Sequence, residues 1–363
     1  MAERYDVVLV VPSLGRSGGL RVLVEWAARL AATGQRVAVA TAASGPGAAM
    51  AGSADIVAPG KLRHLLDEAA LRILRPRRAS LADLQVYPRT VRSRLPAADR
   101  YVLGFAPWGP ALDLDGEVLT YCQHWEPLWF PDSQPAAAIA ERAMHAPGPK
   151  VVNSTWLRGH WPASAQSELH LVHPGVDLEV YRPPQRPRQR AAGQPLRVAA
   201  LGRADVRWKG LAELRQALDQ AGVPVELVLF GTPGRGTVRR SWGTETAVGG
   251  LSPEELAAVF GSVDVVVTAS WFESFPLPPL EAMACAAAVL TTREGTEDYA
   301  IDRVNALVVP GRDAAALAGG IAELAGDGDL RAALAAAGPQ TAARFTWSAG
   351  FAAFQRCLDE TAS

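Results

Sequence analysis

The chain has 363 residues, 49% hydrophobic and 20% charged, with 36 basic against 37 acidic residues and a net charge of −1. That length suits two domains of ordinary size, each able to bury a core, and the balanced charge excludes general nucleic-acid binding, which needs a strong basic excess. Cys122, Cys285 and Cys357 lie far apart in apolar settings without metal spacing, so reduced thiols in a cytoplasmic protein are expected. The opening M-A-E-R-Y-D leads straight into a strand, without a signal-peptide pattern, and no apolar run is long enough to span a bilayer.

Residues 7–11 form a continuous apolar run that reads as a buried parallel strand. P-S-L-G-R-S-G-G-L follows, then a helix with Leu20, Leu23, Val24, Ala27 and Leu30 on one face, then a second strand at 36–41. Strand, glycine turn and helix open many nucleotide sites. The glycines here are Gly15, Gly18 and Gly19 rather than G-x-G-x-x-G, and the second strand ends without a ribose-binding acid. The Gly18-Gly19 pair either lets backbone approach a ligand or supplies a turn with positive φ. Between Lys61 and Arg100, ten basic residues outnumber four acids, above an apolar face of Leu62, Leu65, Leu66, Ala69 and Ile73. This region is either a surface for an anionic membrane or phosphorylated acceptor, or a solvated helix and loop.

Strands are expected at 101–105 and 118–122, and the second runs into Q-H-W-E-P-L-W-F-P. Ligands of α/β folds gather at such strand ends. His124, Trp125 and Trp129 therefore stand as candidate ligand residues, the two tryptophans as surfaces for a ring to stack on, with a core cluster around one satisfied histidine as the alternative. Asp113-Leu114-Asp115 has the D-x-D pattern of metal-dependent transferases, but it precedes a strand in a Gly- and Pro-rich loop, so no metal is expected there. A strand at 151–154 leads to a helix from Trp156, capped by Asn153 or Ser154. Residues 182–195, rich in Arg, Pro, Gln and Ala, read as a hinge. A strand at 196–201 then enters G-R-A-D-V-R-W-K-G, in which Arg203 and Lys209, six positions apart across a loop, either offer a fork and a point charge to phosphate oxygens or are simply two exposed loop cations. After a strand at 225–230 comes a charged stretch, 232–244, expected to be a long loop, and Ser252-Pro253-Glu254-Glu255 opens a helix with a capping box.

The richest stretch is A-S-W-F-E-S-F-P-L-P-P-L-E-A-M-A, from Ala269, between a strand at 263–268 and a helix at 280–287. Pro278 and Pro279 suit first helical positions. The helix start favours an anion. Pro276 has no N–H, which makes Phe275 and Leu277 the loop donors. Glu273 on the loop and Glu281 on the helix suit vicinal diols, since each carboxylate offers two acceptor oxygens. The plainer alternative has Glu281 complementing the helix dipole and Glu273 solvated. Further strands at 288–291 and 306–309, two Ala-rich helices and F-T-W-S-A-G-F-A-A-F-Q-R-C-L complete the chain.

E-S-F-P-L-P-P-L-E resembles the E-x7-E motif of family-4 retaining glycosyltransferases. The G-R…K-G element, the Gly18-Gly19 pair and H-P-G-V-D-L-E-V-Y-R-P are similar to family elements in the same order. The resemblance covers nearly the whole chain, loosely between Ser44 and Gly116. It implies an α/β GT-B fold, with two Rossmann-like domains facing across a cleft. Residues 1–182 would bind the acceptor, 183–345 the nucleotide sugar, and the helix at 346–363 would cross back. It implies a retaining, metal-independent hexosyltransferase without cofactor. Arg203, Lys209, Gly18 and Gly19 would hold the donor diphosphate, Leu251 the base, Glu281 the ribose, and Glu273 the sugar, with His124 reaching the sugar from the other domain. Q-H-W-E-P also resembles a segment of bacterial rhamnosyltransferases, which leans the donor toward a dTDP-deoxysugar among UDP, dTDP and GDP donors. The acceptor would be a small molecule, a glycan or a lipid-linked species. R-E-G-T-E departs from the family's Gly-Gly-x-x-Glu and leaves Glu297 without a role. The rival functions are a catalytically silent sugar-nucleotide binder and another two-Rossmann enzyme such as an epimerase.

Overall fold

The computed structural model describes residues 4–14, 18–43, 45–58, 88–185, 190–191 and 193–361. Gly15 and residues 61–87 lie outside the described residues, and with them most of the basic region at 61–100 and its apolar face. The chain divides into two compact units: Met1–Val172 with Phe351–Ser363, and His173–Gly350. The first division falls ahead of the expected boundary at 182, and the second falls inside the closing helix, Trp347–Glu360, rather than before it.

The first unit is a seven-stranded parallel sheet in the order β3-β2-β1-β4-β5-β6-β7. Its strands are β1 Tyr5–Val11, β2 Val37–Thr41, β3 Asp55–Val57, β4 Ala98–Leu103, β5 Glu117–Cys122, β6 Lys150–Val152 and β7 Leu169–Leu171. Val8, Leu9, Val10 and Val11 are fully buried, as expected of a central strand covered on both faces. The helix Gly18–Ala32 buries Val22, Leu23, Val24, Trp26, Ala27 and Leu30. Trp26 stacks on Phe351 at 6.2 Å and Phe354 at 5.7 Å, so the end of the chain closes this unit's core. Arg100 adds a hydrogen bond to the Leu358 carbonyl at 2.5 Å.

The second unit has the sheet order β10-β11-β9-β8-β12-β13-β14. The strands are β8 Leu196–Leu201, β9 Val225–Phe230, β10 Arg235–Arg240, β11 Gly243–Gly249, β12 Val265–Thr268, β13 Ala288–Thr292 and β14 Leu307–Val309. All neighbours are parallel except β10 and β11. That pair corrects the long loop expected at 232–244, since Arg235 to Arg240 form a fully exposed edge strand. From β8 the chain first adds β9 on one side, then crosses to β12 on the other. The β8–β12 junction is therefore the topological switch point, where open α/β sheets hold ligands beyond the strands' carboxyl ends.

Candidate functional site

At that switch point the loop after β8 meets the loop after β12. Gly210 ends the first loop at φ 70°, and a Cβ there would lie 1.8 Å from the Ala269 carbonyl oxygen. Only glycine permits both the left-handed backbone and this approach. The Trp271 N–H donates to the Trp208 carbonyl at 2.8 Å. The Lys209 ammonium donates to Glu273 Oε1 at 2.6 Å, with side-chain exposures of 25% and 14%. Ser270 Oγ donates to the same oxygen at 2.7 Å. The Glu273 N–H donates to the Glu294 carbonyl at 3.1 Å, while a Cβ on Gly295, at φ 94°, would strike the Glu273 carbonyl. Glu273 is thus held by its own loop and by two neighbouring ones.

Arg203 does not join this pair. Its Nε and Nη2 each donate to one oxygen of Asp205 at 2.8 Å. That fork raises the guanidinium pKa and lowers that of the Asp205 carboxyl. The structure therefore brings Lys209 and Glu273 together and ties Arg203 to its own loop.

The helix after β12 runs Leu277–Ala284, three residues earlier than expected, with Pro276 at its cap. Pro278 and Pro279 occupy its second and third positions, so Leu277 alone among the first three carries an N–H. Phe275 supplies the nearest donor before the cap, and its ring is buried against His173, Tyr299 and Phe345 at 5.2–5.6 Å. Tyr299 Oη donates to the Pro276 carbonyl at 2.8 Å, anchoring the turn. Glu281 is only 3% exposed, so it is no surface partner of the helix dipole. Leu251 is half-buried just before the capping box of the helix Pro253–Gly261. Glu297 accepts from the Gly295 N–H at 2.7 Å, and burial raises its pKa.

In the first unit, Gly18 and Gly19 are the first helical residues and neither has positive φ, which removes the tight-turn reading. A Cβ on Gly19 would sit 3.3 Å from Gln123 Oε1, so Gly19 keeps the helix start close to the β5 loop, whereas a Cβ on Gly18 would meet nothing within 4 Å. His124 is buried to 9% exposure, its Nδ1 lies 3.0 Å from the Trp125 carbonyl, and its ring lies 5.3 Å from Trp129. The two expected tryptophan contacts part company. Trp125 is occupied, stacked on His160 at 4.7 Å and edge-on to Trp161, whereas Trp129 stacks on Phe105 and remains 37% exposed. Asp113 pairs with Arg92, and Asp115 accepts from Tyr101 Oη at 2.7 Å, at the amino end of β5. Among the described residues, no group of three or more His, Cys, Asp and Glu side chains could hold a metal ion.

The family described as Glycosyl transferases group 1 matches residues 195–327, the span that carries β8, the Lys209–Glu273 pair and the helix Leu277–Ala284. The matched span lies within the second unit. The D-inositol 3-phosphate glycosyltransferase of Corynebacterium jeikeium is 30% identical over 218 residues, 53% of this chain and 52% of that protein. The chain spans about half the length of the curated relatives it matches. Sucrose-phosphate synthase from Thermosynechococcus elongatus superposes with a TM-score of 0.74 at 20% identity, over 98% of this chain and 99% of that one. Alr3699/HepE from Anabaena, solved with UDP and glucose, gives 0.69 at 14% identity over 98% and 100%. The fold is GT-B, and within the span that the family matches the switch-point loops carry the ion pair.

Proposed function

We propose that the chain is a nucleotide-sugar-dependent glycosyltransferase that retains anomeric configuration and needs no metal. The observation that carries this reading is the Lys209–Glu273 pair at the switch point of the group 1 domain. Each group is held by the other, and each suits one part of a nucleotide sugar. Lys209 would turn to the diphosphate, and the freed Glu273 carboxylate would accept hydrogen bonds from the sugar's hydroxyls. Arg203 would exchange Asp205 for phosphate oxygens. Glu281 would take the ribose, with the Phe275 and Leu277 N–H groups aimed at the phosphate. Gly18, Gly19, Leu251 and His124 keep the roles that the family resemblance implies.

In the reaction the anomeric carbon's bond to the diphosphate oxygen breaks, and a bond to the acceptor oxygen forms on the same face. The acceptor's proton passes to a donor phosphate oxygen. Lys209 and Arg203 would offset the charge growing on the leaving group, an electrostatic effect aimed at the transition state.

A thermal-shift panel of UDP, dTDP and GDP tests the reading, because a ligand that binds only the folded chain raises its melting temperature. UDP heads the panel because the Anabaena neighbour was solved with it. dTDP follows from the Q-H-W-E-P resemblance. D-inositol 3-phosphate, named for the curated relatives, is the first acceptor to try. Lys209→Ala should lower kcat/KM by roughly 100-fold or more, about 3 kcal/mol. A chain stabilised by none of the three nucleotides would sink the proposal, and activity abolished by EDTA would sink its metal-free part.

A further inference from the structure

The two switch-point loops are matched along their length by contacts that the E-x7-E motif does not contain. Arg207 stands two residues before Lys209, and Trp271 two residues before Glu273. The Arg207 guanidinium carbon lies 4.9 Å from the centre of the Trp271 ring. Trp208 accepts the Trp271 N–H and stacks on Phe272 at 6.2 Å with planes 13° apart. Lys209 and Glu273 close the series. A third loop reaches the same ring, since Arg312, in the turn after β14, brings its guanidinium carbon to 4.3 Å from the Trp271 centre.

This third contact is built into the backbone. Arg312 has φ 61°, a conformation that non-glycine residues rarely adopt. Its neighbour Gly311 packs so closely that a Cβ would sit 2.8 Å from the Trp271 carbonyl oxygen and 2.9 Å from Glu294 Oε2. Glu294 is the residue whose carbonyl accepts the Glu273 N–H. Among the described residues neither Arg207 nor Arg312 forms an ion pair, so the contact that fixes each guanidinium is the indole. A guanidinium over an indole face is attracted by the ring's quadrupole and is less sensitive to water than a surface ion pair.

We infer that Trp271, gripped by Arg207 and Arg312, is a positioning residue that sets the register in which Lys209 and Glu273 meet the donor. The inference rests on the donor-site reading above. A one-residue slip of either loop would carry Lys209 away from Glu273 while leaving the sheet and its core intact. In this role Trp271 acts through those two side chains.

The test compares Trp271→Phe, Trp271→Leu and the double variant Arg207→Ala/Arg312→Ala in the full chain. Phenylalanine keeps an aromatic face for the two guanidiniums, whereas leucine fills space without one. Binding of UDP, dTDP and GDP is measured by titration calorimetry, alongside melting temperature. Trp271→Leu and the double arginine variant should each weaken nucleotide binding about tenfold, while Trp271→Phe stays within about threefold of the wild type. Melting temperatures of the two Trp271 variants should agree closely. Should Trp271→Leu fail to fold, the double arginine variant decides, since both its changes lie on exposed side chains. Wild-type affinity in the double variant, or equal weakening by Phe and Leu, would overturn the inference and leave the donor site standing. A wild-type chain that binds none of the three nucleotides would overturn both.

Discussion

A buried carboxyl with one oxygen unserved is a poor place for a charge. Glu126 is 2% exposed, its Oε1 accepts from the Ala106 N–H at 3.3 Å, and Oε2 has no partner among the described residues. Burial pushes its pKa well above the ordinary carboxylate range. The folded chain therefore keeps a proton that the unfolded chain releases from about pH 4.3 upward. The unfolded state then binds fewer protons than the folded one, and stability falls as pH rises through that window. Glu126→Gln, which keeps the accepting oxygen and cannot ionise, should match the wild type in melting temperature near pH 4 and exceed it at pH 8. A constant difference across that range would refute the assignment. The cysteines follow the same physics. All three are buried and free, and burial raises the Cys285 and Cys357 thiols to about 12 and pushes the Cys122 thiol up as well. Thiolate is the reactive form, so a thiol reagent at pH 8 should find no cysteine in the native chain and three after denaturation.

At the scale of loops and strands, two glycines with positive φ separate strain from space. At Gly148, with φ 114°, an added Cβ would meet nothing within 4 Å, whereas at Gly210 it would lie 1.8 Å from the Ala269 carbonyl. Gly148→Ala should cost about 1 kcal/mol from backbone conformation alone. Gly210→Ala adds a clash between the two switch-point loops and should cost about 3 kcal/mol or more, with nucleotide binding lost as well. Chemical denaturation of both variants checks the order. These elements also show where the sequence is legible. β8 and β9 occur at the residues where the sequence predicts them, because apolar runs broken only by Arg197 and Glu226 at their second positions mark largely buried strands. The β10–β11 hairpin reads as a loop because R-G-T-V-R-R is exposed at all six positions and has no buried face to betray a strand. β3 and β7, three residues each, are too short to show a period. Lys209 and Glu273 each stand out in the sequence, but their direct bond depends on a pairing of loops 64 residues apart, which spacing alone does not encode. Arg203 groups with them on sequence because nothing in G-R-A-D shows that its fork closes on the nearby acid. The Trp271 contacts leave a faint signal, an arginine and a tryptophan each two residues ahead of a site residue.

The chain's two units have separate cores, and the closing helix divides between them after Gly350. Its last part belongs to the first unit, where Phe354 is fully buried, 5.7 Å from both Trp26 and Tyr121. The switch-point loops of the proposed donor site belong wholly to the second unit, from β8 to the turn after β14. Stability and donor binding should therefore come apart under the right substitution. Phe354→Ala removes a buried ring and should destabilise the first unit by about 3–5 kcal/mol. Two cores need not unfold in one step, so a calorimetric scan should show the lowered transition moving away from any that nucleotide raises. Titrated well below that transition, the variant should bind nucleoside diphosphate as tightly as the wild type. Gly210→Ala should do the reverse, losing nucleotide affinity while leaving the first unit's transition in place. If Phe354→Ala lost nucleotide affinity at a temperature where circular dichroism shows it folded, nucleotide binding would depend on the first unit's core, and the proposal that the switch-point loops supply most of that affinity would fail.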